Sequence, residues 1–137
     1  IVIANRYNPS NKAHMSANLP NEQREEFMSW LDELELETNK IPKADLNIFL
    51  DVDPKVGQEN VRGEEEGLND LPSKDIHEDD LHHLQEANKI YLELSKAEPN
   101  WKVVNCSEGN KMKSKDSIHK LLVEIIDAYL LSSDSLE

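Results

Sequence analysis

Arg6 is the residue best suited to chemistry near the start of this 137-residue chain, and its neighbours suggest which chemistry. It follows the apolar run Ile1-Val2-Ile3-Ala4 and Asn5, and precedes Tyr7, Pro9, Ser10 and His14. Four small or branched apolar residues predict the end of a strand buried on both faces, and in an open α/β sheet the carboxyl end of such a strand opens into the ligand crevice. A guanidinium there is a planar, permanently charged fork matched to two phosphate oxygens. Pro9 breaks the backbone, and Ser10 can cap a short helix whose amide groups face the same crevice. The plainer alternative is a surface or salt-bridging arginine and a serine that only caps. Three histidines, His77, His82 and His83, invite a metal reading, but they lack the i, i+4 pairing that puts two imidazoles on one helical face, so no metal ligands are assigned.

Composition narrows the partners. The balance of 28 acidic to 15 basic residues, net −13, argues against a nucleic-acid or anionic-membrane binder, because both need a positive field to displace counterions. A phosphate ligand would need a local basic site within an acidic protein. Cys106 is the only cysteine and can form no internal disulfide, and no apolar run approaches the ~20 residues of a membrane span. The expectation is a reducing, soluble compartment, with the cytoplasm as the default. The length suits a single domain. An opening on Ile-Val-Ile, with no cap, turn or signal-peptide layout, reads as a chain cut inside that domain.

The elements that must position Arg6 follow from periodicity. Asn21 can cap a helix whose Phe27, Trp30, Leu31 and Leu34 recur at i, i+3, i+4 and i+7, predicting a core-facing stripe. Leu46 to Val52 reads as a second, central parallel strand, and Pro54 opens a helix to about Arg62. From Glu59 to Asp80 nine acids face only Arg62 and Lys74, a run that reads as a solvated loop or, beside a crevice, as a lid over about 59–75. Asp75 to Glu78 resembles a capping box for a helix with Leu81, Leu84, Ala87, Tyr91 and Leu94 on one face, ending before Pro99. Trp101 to Cys106 is the third predicted strand. Ser107-Glu108-Gly109-Asn110 is a turn, and Ser114 caps a last helix striped by Ile118, Leu121, Leu122, Ile125, Ile126 and Tyr129. Strands alternating with helices predict an α/β fold, a parallel sheet with flanking helices. All three strands should end in polar turns along one edge.

Three stretches carry a resemblance to a known family. Asn5-Arg6-Tyr7 with Ser10-Asn11-Lys12-Ala13-His14, then Ile41 to Pro54, then Lys74 to Leu81, resemble the carboxyl-terminal portion of a thymidylate kinase, in order and spacing across most of the chain. The resemblance implies a P-loop nucleoside-monophosphate-kinase-like fold whose amino-terminal part is absent from this sequence. It also implies transfer of the γ-phosphoryl of ATP onto dTMP, giving dTDP, with Mg²⁺ as cofactor and a homodimer as an option. On the matching positions, Arg6 grips the acceptor phosphate, with Asn5 in place of the commoner Asp. Residues 1–18 form the acceptor segment, in which Tyr7, Ser10, His14 and Met15 line the thymidine site, Met15 standing where many bacterial members have Gln. Arg62 lies where some members carry a catalytic arginine, and it reads equally well as a solvated helix-end residue. The loop of about 106–112, with Ser107, Gly109 and Asn110, matches the turn against adenine.

The glycines are Gly57, Gly63, Gly67 and Gly109, and none opens a G-x-x-x-x-G-K-[ST] phosphate loop. Two functions stay open on these grounds: a thymidylate kinase in the intact protein, or a non-catalytic nucleotide-binding half-domain or related nucleoside-monophosphate or deoxynucleoside kinase.

Overall fold

Asn47–Asp51 (β1) and Trp101–Asn105 (β2) pair in parallel, in register from Asn47 opposite Trp101 to Asp51 opposite Asn105. This is a computed structural model, and it describes residues 1–65 and 74–134, with side chains described except at 60–65, 74–79 and 133–134. A parallel pair needs a long crossover, and here α3 (Pro54–Glu65) and α4 (Lys74–Ala97) supply it. Before the sheet come α1 (Asn8–Ser16) and α2 (Asn21–Asp32), the latter running on into a π-helical turn, Glu33–Thr38. After it come a hairpin, β3 (Ser107–Glu108) with β4 (Lys111–Met112), and α5 (Lys115–Asp134). The protein is thus mixed α/β, a two-stranded parallel sheet with flanking helices.

Ile1 to Ala4 do not form the expected strand. Ile1, Val2 and Ile3 are 97, 94 and 83 % exposed, and only β1 and β2 make up the parallel sheet among the described residues. β propensity expresses packing against strand neighbours, and a β-branched run without them has no ladder to join. The predicted β1 and β2 strands are present, each shorter by a residue or two at its ends.

The core lies between α1 and α4. Ala13 and Ala17, one turn apart on α1, face Ala87 and Ile90 of α4, all buried, with Met28, Tyr91 and Leu94 packed around them. Alanines at the contact let the two helix backbones approach closely, so longer side chains flanking that contact are brought together. On α2 and the turn after it the expected stripe holds except at Trp30, with Phe27 and Leu34 half-buried, and it runs beside a set of Arg24, Met28, Leu31 and Glu35 at i, i+4, i+7 and i+11. Leu31 is buried, whereas Trp30 is 52 % exposed and touches Phe27 at the surface. That set carries charge at both ends. Arg24 ion-pairs with Glu86 of α4 at 2.9 Å, and Glu35 accepts from Asn8 and Asn11 of α1 at 2.6 and 2.8 Å. Apolar periodicity marks part of the docking face, and polar pairs supply the rest.

Caps differ as well. Ser10 is buried inside α1, whose N-cap is Tyr7 without a side-chain bond, and Pro20 rather than Asn21 precedes α2. Ser114 does cap α5, accepting from the Ser117 amide at 3.2 Å. Asp53 caps α3, its Oδ1 accepting from the Lys55 amide at 2.8 Å. On α5, Ile118, Leu122, Ile125, Ile126 and Tyr129 of the expected stripe are half-buried, and Leu121 is exposed. Among the described residues no helix is long and apolar enough to cross a membrane.

Candidate functional site

The close approach of α1 to α4 sets the geometry around His14. His14 follows the buried Ala13, and His83 lies one turn before the buried Ala87, so the alanine contact brings the two imidazoles together. His14 Nδ1 and His83 Nε2 are 3.2 Å apart, with the rings stacked at 5.5 Å between centroids. His83 Nδ1 in turn meets Asn18 Oδ1 at 3.1 Å, and Asn18 Nδ2 donates back to the His14 carbonyl at 3.2 Å. Tyr91 sets its edge against the His14 ring, stacks on Phe49 of β1 at 4.6 Å and reaches Trp101 of β2. The histidine pair therefore rests on an aromatic column that ties α1 to the sheet.

Arg6 belongs to the same neighbourhood. Burial pushes the His14 pKa below its ordinary value of 6.5, and the Arg6 charge, then that of His83, push it further down. Arg6 is exposed, and among the described residues no carboxylate pairs with it. Its φ of 69° lies in the left-handed region, an uncommon place for a residue with a Cβ and one that concentrates at functional sites. The described ion pairs thus do not engage Arg6, and its charge reaches His14.

The depressed His14 pKa fixes the sign of a pH effect. The unfolded chain takes up a proton near pH 6.5 while the folded one still resists it, so stability is full above that value and is lost as pH falls through it. Urea midpoints should drop from pH 7.5 to 5.5, and His14→Gln should flatten that part of the profile. An unchanged profile in His14→Gln would assign the effect to other groups.

The remaining acceptor-segment residues are placed unevenly. Asn5 is exposed, Met15 is 48 % exposed, and Ser10 is 8 % exposed with its amide bonded to the Tyr7 carbonyl at 2.8 Å. Tyr7 donates its hydroxyl to the Pro42 carbonyl at 2.8 Å. It also lines a cavity of about 40 Å³ with Asn8, Lys12, Asn47 and Trp101. That cavity sits at the amino ends of β1 and β2, and its volume suits a water or two, far below the several hundred Å³ of a nucleotide pocket. Tyr7 therefore lies at the end of the sheet opposite to the turns after Asp51 and Asn105, which corrects the expectation that all three polar segments share one edge.

At the carboxyl ends the two strand-end turns are joined. The Ser107 hydroxyl accepts from the Asp53 amide at 3.2 Å, the Ser107 amide donates to Asn105 Oδ1, and Asn88 of α4 donates to Asp51 Oδ1 at 2.8 Å. Gly109, at φ 58°, and Asn110 form the tip of the β3–β4 hairpin. Beside it runs an open groove of about 810 Å³ lined by Met112 and Leu121, both exposed, with Lys111, Lys113, Lys120, Glu108 and Glu124. Cys106 is buried, its thiol held by the Val104 carbonyl and its pKa raised by burial, which suits a packing residue rather than a nucleophile.

Arg62 falls within α3, but its side chain lies outside the described residues, as does most of the lid-like segment of about 59–75. Asp53 spends its Oδ1 on the α3 cap, Asp51 its Oδ1 on Asn88, and no group of three His, Cys, Asp or Glu side chains converges among the described residues. His83 and Asn18 are the positions that sequence reasoning missed. The available signal was small residues, Ala13, Ala17 and Ala87, on the faces that carry His14 and His83. No protein-family model matches this chain, and neither does any curated protein or solved structure.

Proposed function

We propose that this chain is the acceptor side of a P-loop nucleoside-monophosphate kinase acting on dTMP, in which Arg6 holds the phosphate and the His14 surface meets the nucleoside. The observation that carries this reading is the placement of Arg6. It is unpaired among the described residues, in the left-handed region, exposed and electrostatically coupled to His14. Among the described residues no carboxylate pairs with this exposed guanidinium, which leaves its fork available to a ligand anion. The resemblance of Asn5 to His14 and of Ile41 to Pro54 to thymidylate kinases supports the acceptor identity. So does a parallel β1–β2 pair whose crossover is helical.

In the intact enzyme ATP would donate its γ-phosphoryl to dTMP, giving dTDP. The adenine would lie in the open groove beside the β3–β4 hairpin, against Met112 and Leu121, with Ser107 holding that hairpin to the end of β1. Mg²⁺ would neutralise charge on the transferring phosphates, and its ligands are not among the residues described above. What this chain contributes is position and charge: the Arg6 fork fixes the acceptor phosphate and stabilises the charge it carries during transfer. Because the phosphate-loop motif is missing from this sequence, a second reading holds for the chain alone, that of a nucleotide-binding half-domain without transfer.

Amide shift mapping tests the site. Adding dTMP to ¹⁵N-labelled protein should move resonances from Arg6 to Asn18 and around His83, and leave Asn47 and Trp101 still. Shifts confined to α5, or none at millimolar ligand, would remove the acceptor assignment.

A further inference from the structure

We infer that His14 Nε2 is a fixed hydrogen-bond acceptor for the imide N–H of thymine or uracil, and that His83 and Asn18 are the positioning residues that fix it. The inference rests on the acceptor-site reading above and adds to it how the base is selected.

The proton positions follow from one chain of hydrogen bonds. Asn18 Nδ2 donates to the His14 carbonyl, which settles the orientation of the amide and leaves Oδ1 facing His83. An amide oxygen can only accept, so His83 Nδ1 carries a proton. A neutral His83 then has a bare Nε2, which must accept from His14 Nδ1 across 3.2 Å. With its one proton on Nδ1, a neutral His14 presents a lone pair at Nε2, an atom with no partner among the described residues. Burial and the Arg6 charge oppose protonation of His14, which favours its neutral state. Among the described residues the Tyr91 ring and the Asn18 amide also touch this pair.

An acceptor so fixed reads bases. The N3–H of thymine or uracil is a donor, and it lies between two carbonyl oxygens. Cytosine presents a lone pair at N3, which would face the lone pair of His14. A site whose polar group is left unmatched discriminates strongly, because the desolvated group has no partner in the wrong complex.

Two measurements on the unmodified chain decide the matter. Long-range ¹⁵N–¹H spectra of His14 should show a protonated Nδ1 and an unprotonated Nε2. Titrations should show dTMP and dUMP binding alike and dCMP at least about tenfold weaker. His83→Ala should bring the dTMP to dCMP ratio toward one while leaving the preference for dTMP over thymidine, which depends on Arg6. His83→Gln should restore the ratio, since a glutamine amide can both accept from His14 Nδ1 and donate to Asn18 Oδ1. A proton on His14 Nε2, equal binding of dTMP and dCMP, or an unchanged ratio in folded His83→Ala would overturn the inference and leave the acceptor site standing. No binding of any of these nucleotides would instead overturn the acceptor site, and the inference with it.

Discussion

Incubated with ATP, Mg²⁺ and dTMP, the 137-residue chain is expected to form no dTDP above a no-protein blank. Phosphoryl transfer is almost entirely positioning and charge neutralisation, and the donor phosphates are positioned by a glycine loop, its lysine and its serine or threonine. None of these is present: of the four glycines, Gly109 tips a hairpin, Gly57 sits inside α3, and none precedes a Gly-Lys pair. The groove beside the hairpin offers Lys111, Lys113 and Lys120, but Lys113 already donates to the Asn105 carbonyl. A bound ATP would therefore lack both the amide cradle and an in-line relation to an acceptor held at Arg6. Robust product would show that these lysines build a donor site, and the division of labour proposed above would fall.

Replacing Arg6 is expected to have the next largest effect. Arg6→Ala should weaken dTMP binding by about ten- to a hundredfold, the range of a charge-assisted hydrogen bond removed from an anion. Arg6→Lys should recover little of it, because an ammonium keeps the charge but cannot form two parallel bonds to phosphate oxygens. Thymidine, which has no phosphate, should bind all three proteins alike. Fold integrity is not at stake, since Arg6 is exposed and makes no described ion pair, and Ala and Lys keep the same Cβ in its left-handed backbone. Equal affinity of Arg6→Ala and the parent chain for dTMP would return Arg6 to the surface role that its sequence position equally allows.

Periodicity and turn chemistry made much of this fold legible. Ile48 to Leu50 and Val103 to Val104 are apolar runs bounded by polar turns, and both are strands. Pro54 and Ser114 mark helix starts that the structure keeps. What was not legible depended on partners distant in sequence. Ile1 to Ile3 have strand composition, yet a strand needs a neighbour, and residue types cannot show that none is adjacent. Trp30 was placed in the core because it is large and apolar, whereas α2 turns Arg24 and Glu35 inward because Glu86, Asn8 and Asn11 await them there. On α4, Leu84 is 39 % exposed and Ile90 buried, because the α1 contact selects the face that includes Ala87. Arg6 and His14 were legible as site candidates from type and position. His83 was weighed only as a metal ligand, since its bond to His14 spans 69 residues of sequence.

Calorimetric titration of the chain with dTMP and with thymidine, side by side, tests the acceptor site most directly. The site described above predicts saturable binding of one dTMP per chain, with thymidine at least about tenfold weaker, because the phosphate adds a charge-assisted, bidentate contact to Arg6. Equal affinities for the two, or no heat with dTMP at millimolar concentration, would contradict it.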